Sequence, residues 1–171
     1  MQPVTIAAPK SEIHVDPLAL HGLPVRKGPR PRTLRGPLHI QYSGHSERKY
    51  INQLVKDVFT WSHIERVPDA TKSASLIPIR FEAGVATLDS TPLLSEREFA
   101  RVFLGAPTIY LALPLVSAHW AIVRGWAEPH YLCSFGLMPP GTVVLYVPQD
   151  REGASVCYSL FHTAYQAAFN G

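Results

Sequence analysis

The chain has 171 residues, 46% of them apolar and 17% charged, with a formal charge of +3. That is enough for one domain with its own core and without stapling cross-links. Cys133 and Cys157 are too few for a disulfide framework, and neither lies in a CxxC; no apolar run reaches the ~18 residues of a membrane helix.

The opening, MQPVTIAAPK, has no charged stretch followed by an apolar run, so it does not read as a signal peptide. Buried free thiols and a cytoplasmic, reducing location are expected. Residues 1–37 read as an extended arm, because Pro3, Pro9, Pro17, Pro24, Pro29, Pro31 and Pro37 forbid helix or central strand. Arg26, Lys27, Arg30, Arg32 and Arg35 make it basic. A basic run could hold phosphates, but no aromatic is interleaved to stack on bases, so nucleic acid is discounted. The single domain is expected over 38–171.

SERKYINQLVKDVFTWS reads as the first helix, with Ser46 as its N-cap and Tyr50, Leu54, Val58 and Trp61 on one face. SASLIPIRFEAGVATL reads as one or two strands, with Pro78 at an edge or bulge. EREFARVFLG and TIYLALP read as two more, joined at GAP. LVSAHWAIVRGW is a helix closed near Gly125. GTVVLYVP is a strand buried on both faces, and REGASVCYSLFHTAYQAAF an amphipathic helix. The expected package is α+β: a small, mostly antiparallel sheet with about three helices on one face.

GWAEPHYL (125–132) reads as a turn that presents His130 to a pocket. Side chains two apart share a face when the chain is extended, so Glu128 could orient His130 and raise its pKa for acid–base work. The plain alternative is a loop histidine bonded to backbone. In an ideal strand Arg97, Phe99, Arg101 and Phe103 share a face, and an inward arginine needs a carboxylate or an anionic ligand. Tyr110 and Tyr146 sit in apolar strands, where a phenol wants a partner. No HExxH or Cys/His cluster is present, nor GxGxxG, GxxxxGK or GxSxG. Zinc, dinucleotide and serine-hydrolase signatures are therefore missing.

LPVRKGPRPRTLRG, SEREFARVF, GWAEPHYL, LMPPGTVVLYVPQDRE and the closing helix, taken in order over residues 23–169, resemble the small luciferase-domain proteins of fungi and bacteria. These are not the flavin-dependent luciferases. In that family histidine is common where this chain has Arg101 and Phe103, and again near Tyr110. The resemblance therefore implies a pocket refitted from polar to aromatic, with His130 retained.

Together these readings lead to an expected enzyme without cofactor or metal. It would bind a hydrophobic natural-product intermediate and catalyse a cyclisation, such as a pericyclic 4+2 cycloaddition, or an isomerisation. His130, Glu128, Tyr110 and Arg101 are the expected catalytic groups. Trp126, Phe103, Phe99, Tyr146 and Trp120 are the expected pocket walls. A homodimer is left open. The alternative is a non-catalytic binding or interaction domain.

Overall fold

A computed structural model describes residues 22–45, 48–66 and 75–169. The fold is α+β: a five-stranded antiparallel sheet, a two-stranded hairpin and, among the described residues, three α-helices. In chain order these are β1 (Thr33–Leu34), β2 (Ile40–Gln41), α1 (Lys49–Val58), β3 (Leu76–Arg80), β4 (Glu98–Phe103), β5 (Thr108–Ala112), α2 (Leu115–Val123), β6 (Ala127–Pro129), β7 (Thr142–Leu145) and α3 (Arg151–Ala167). The sheet order is β3-β4-β5-β7-β6. No helix among the described residues is long and apolar enough to cross a membrane.

The strands alternate, and register decides what each face carries. Ile77, Val102, Ile109, Leu145 and Ala127 form one cross-strand row. All five are fully buried, in one core with Leu54, Val55 and Val58 of α1 and Leu160 and Phe161 of α3. Burying a side chain of this size contributes roughly 1.5–3 kcal/mol, so this layer is the main source of stability.

The helix ends follow local chemistry. At α3, the Asp150 carboxylate accepts the Gly153 N–H at 2.7 Å, and Glu152 sits in the first turn. Asp150→Ala is expected to cost about 1 kcal/mol, measured as a shifted denaturation midpoint with unchanged slope. After α2, Gly125 turns the chain at φ 86°. A Cβ at Gly141 (φ +89°) would run into the Leu113 carbonyl, so only glycine lets β7 start this close to the β5 end.

Several sequence expectations change. Helix α1 begins at Lys49, with Arg48 as N-cap and no side-chain capping bond; Ser46 lies outside the described residues. Residues 85–88 form no strand. GWAEPHYL is not a simple turn: it contains edge strand β6 followed by a 3-10 turn, Tyr131–Phe135. Pro78 does sit in an edge strand, β3. A register shift between Ile79 and Arg80 inserts an extra residue in β4. The bulge sends Phe99 to the helix side, where it stacks on Phe81 at 5.0 Å. Arg97 precedes it at φ 61°, and its guanidinium donates to the Phe81 carbonyl at 2.8 Å.

From Gly22 onward the proline-rich segment lies on the domain. Trp126 Nε1–H donates to the Pro24 carbonyl at 2.6 Å, Arg26 N–H to the Arg124 carbonyl at 2.8 Å and Arg30 to the Ile122 carbonyl at 2.8 Å. Part of the basic run therefore fastens this segment to the end of α2. The hairpin β1–β2 that follows packs on the face of the sheet opposite the helices.

Candidate functional site

The second face of the sheet carries a polar row inside an apolar frame. Pro78, Arg101, Tyr110, Val144 and Glu128 are successive cross-strand neighbours. Leu76, Phe103 and Thr108 form the next row. His130 follows β6 in extended conformation, two residues after Glu128, and its N–H donates to the Thr142 carbonyl. Strand alternation thus brings Arg101, Phe103, Tyr110, Glu128 and His130 to one face. The Tyr110 ring meets His130 at 4.4 Å and Phe103 at 5.0 Å, both edge-on.

The hairpin supplies the cover. His39 is fully buried. Its N–H donates to the Tyr110 hydroxyl at 2.9 Å, and the Gln41 N–H donates to Thr108 Oγ1 at 3.0 Å. The Gln41 side-chain oxygen in turn accepts the Val147 N–H at 3.0 Å. These bonds replace the sheet pairing that the prolines deny the segment.

Glu128 is the centre of the network. One carboxylate oxygen accepts from Thr33 at 2.6 Å and His39 Nε2–H at 2.7 Å; the other accepts from Tyr146 at 2.8 Å. Arg35 stands 3.6 Å away. Burial pulls the Glu128 pKa up, but the hydrogen bonds from Thr33, Tyr146 and His39 outweigh it and hold the carboxyl below its usual value. Burial, with Glu128 adding to it, pushes Tyr146 up to about 12. The imidazole on Glu128 is therefore His39, not His130.

The two imidazoles have defined tautomers. His39 Nδ1 accepts the Tyr131 N–H at 3.1 Å, so its proton sits on Nε2, facing Glu128. His130 Nδ1 accepts the Leu132 N–H at 3.1 Å, capping the 3-10 turn, so its proton also sits on Nε2. Burial lowers the His39 pKa despite Glu128. Burial first, then the nearby His39 and Arg101, lowers His130 to about 4. This reverses the raised pKa expected from sequence. Near neutral pH both rings are uncharged. His130 is 1% exposed, and its Nε2–H has no partner among the described residues.

Arg101 is half-buried at the open side of this face and chelates Glu98 through Nε at 2.7 Å and one terminal nitrogen at 3.0 Å. The other residues expected at the site are dispersed. Phe99 faces the helices. Trp120, on α2, has ring contacts with His119 and Arg124. Trp126 lies under Pro24 and, with Arg26, Tyr146 and Gly153, lines a cavity of about 100 Å³ at the start of α3. A wider apolar groove of about 520 Å³, between Leu88–Pro92 and the start of α2, holds none of the expected site residues. Among the described residues no three His, Cys, Asp or Glu side chains converge as a metal-ligand set.

His39 and Thr33, the arm's contributions to the network, carry no sequence motif. The one available signal was Gly36-Pro37 between two short apolar–polar pairs, a hairpin pattern. No family model, no curated protein and no solved structure matches this chain.

Proposed function

We propose that the face beneath the β1–β2 hairpin is the active site of a cofactor-independent enzyme acting on a hydrophobic natural-product intermediate. The reaction class is cyclisation, including 4+2 cycloaddition, or isomerisation. The observation that carries this is the His130 Nε2–H: a buried donor without a partner among the described residues, on a ring that meets Tyr110, which in turn meets Phe103. An orphaned buried donor costs about 1–3 kcal/mol, and native proteins keep few of them. One kept beside aromatic walls suits a ligand that brings its own acceptor.

The chemistry follows from the protonation states. With its pKa lowered to about 4, His130 is a neutral imidazole near neutral pH, and its remaining Nε2–H is a hydrogen-bond donor far too weakly acidic to leave. It polarises a carbonyl by donating a hydrogen bond rather than by transferring the proton. Phe103 and Tyr110 would hold the carbon skeleton. Bringing two reactive ends of one substrate together can remove up to roughly 7–11 kcal/mol of barrier. Glu128, Tyr146 and His39 act as a scaffold that positions the Tyr110 hydroxyl through the His39 N–H. The resemblance to luciferase-domain proteins belongs to the same proposal, with Arg101 and Phe103 as the refitted positions.

Solvent extraction of freshly purified protein, followed by mass spectrometry, should release a carbon-rich compound. His130→Phe, which keeps the ring and removes the donor along with the acceptor that caps the 3-10 turn, should retain the sheet by circular dichroism and lose that compound and its turnover. Extraction that yields the same compound in equal amount from the variant would remove His130 from the mechanism.

A non-catalytic interaction domain is the second reading. It is favoured by the exposed apolar side chains at the edge of this face. Leu76, the cross-strand partner of Phe103, is 42% exposed, and Leu38, next to His39, is 57% exposed. Under that reading extraction yields nothing, and Leu38→Glu abolishes a pull-down that His130→Phe leaves intact.

A further inference from the structure

We infer that the ligand end held by His130 is an anionic oxygen, a carboxylate or enolate, because the side-chain groups left without a partner at this face, among the described residues, are hydrogen-bond donors. This rests on the small-molecule reading above and adds the substrate class.

Among side-chain acceptors, Glu128 takes Thr33 and His39 on one oxygen and Tyr146 on the other. Glu98 accepts from Arg101 on both oxygens and from Ser95 at 2.8 Å on one of them. The ring acceptors of His39 and His130 take the N–H groups of Tyr131 and Leu132. The donors are not used up. His130 Nε2–H is buried and unpartnered among the described residues. The Tyr110 hydroxyl accepts from His39 N–H, which fills its acceptor side and leaves its own proton to give. Arg101 spends Nε and one terminal nitrogen on Glu98 and keeps its second terminal nitrogen.

These three donors share one face. Arg101 and Tyr110 are direct cross-strand partners, and Tyr110 touches the His130 ring edge-on at 4.4 Å. A ligand ammonium would meet side-chain acceptors that, among the described residues, are already engaged by protein donors, whereas an oxygen anion would meet donors that are not, Arg101 among them. Charge-assisted bonds of this kind are roughly twice as strong as neutral ones. The same set would favour a transition state in which negative charge gathers on a carbonyl oxygen.

The test uses the full chain labelled with ¹⁵N-histidine and three probes of one shape: phenylacetate, phenylacetamide and phenethylammonium. The His130 Nε2–H resonance is followed by NMR near neutral pH at millimolar probe. Phenylacetate should move it saturably, and phenethylammonium should not. Arg101→Gln should keep a His130 Nε2–H resonance protected from exchange, shifted only by the lost charge, which verifies the fold, and should weaken phenylacetate about tenfold. If phenylacetamide moves the resonance as strongly as phenylacetate, or alone, the anion assignment is overturned and the small-molecule site stands. If none of the three moves it, both fall.

Discussion

Glu128→Ala should destabilise the protein by about 3–5 kcal/mol, the largest effect expected of any single substitution at this face. The alanine leaves three donors without an acceptor: the buried His39 Nε2–H and Tyr146 O–H and the half-buried Thr33 Oγ1–H. Each orphaned group costs about 1–3 kcal/mol, moderated where water can enter. Thr33 and His39 belong to the hairpin, so the loss falls on the attachment of the arm as much as on the sheet. Trypsin should then cut after Arg32 or Arg35 well before the domain unfolds. Glu128→Gln is the graded control. Its amide can accept from one side but must donate toward a group that also donates, so about half the cost is expected. Equilibrium denaturation, read beside the rate of tryptic cleavage, measures both parts. A midpoint that does not move in Glu128→Ala would mean that the hairpin is held by Gln41 and Arg30 alone.

Legibility in the sequence divides along the same line as the energetics. Alternation in β4, β5 and β7 is a local property, set by side chains pointing to opposite faces. It correctly grouped Arg101 with Phe103, and Tyr110, Glu128 and His130 join them on that face of the sheet. It failed at Phe99 because a bulge adds one residue without leaving a compositional mark. The apolar stripes of α1 and α3 were legible for the same local reason, whereas the start of α1 was not, since Arg48 caps it without a side-chain bond. The buried network was the least legible part. His39 meets Glu128 across 89 positions of sequence, and no local period encodes such a pair. Prolines announce what 22–37 cannot form. They say nothing about Thr33 and His39 serving as hydrogen-bond donors to the sheet. The local reading of GWAEPHYL gave Glu128 the nearest histidine in sequence, while the fold gives it the nearest in space.

That exchange of partners sets the pH dependence. His130 titrates at about 4 in the fold and near 6.5 in the unfolded chain. A base whose folded pKa is depressed contributes stability that is complete above the unfolded value. The contribution is lost as pH falls toward the folded value, because the unfolded chain binds the proton first. His130 alone should therefore remove about 3 kcal/mol between pH 6.5 and 4. His39, also lowered, steepens the loss in the same direction. The groups around His130 oppose its charging together: Arg101 is cationic, and His39 would become so. Its Nδ1 already accepts the Leu132 N–H, so a second ring proton would face another donor. Glu128, with its pKa held low, contributes its own loss only below the ordinary carboxylate range. His130→Asn keeps an acceptor for Leu132 and removes the titration. The variant should unfold with about one proton fewer taken up near pH 5, flattening the stability curve by up to about 1.4 kcal/mol per pH unit. Parallel curves for the two proteins over that window would show that His130 is protonated as readily in the fold as outside it. Near neutral pH the donor of the proposed chemistry would then be a partly protonated imidazole in place of a wholly neutral one.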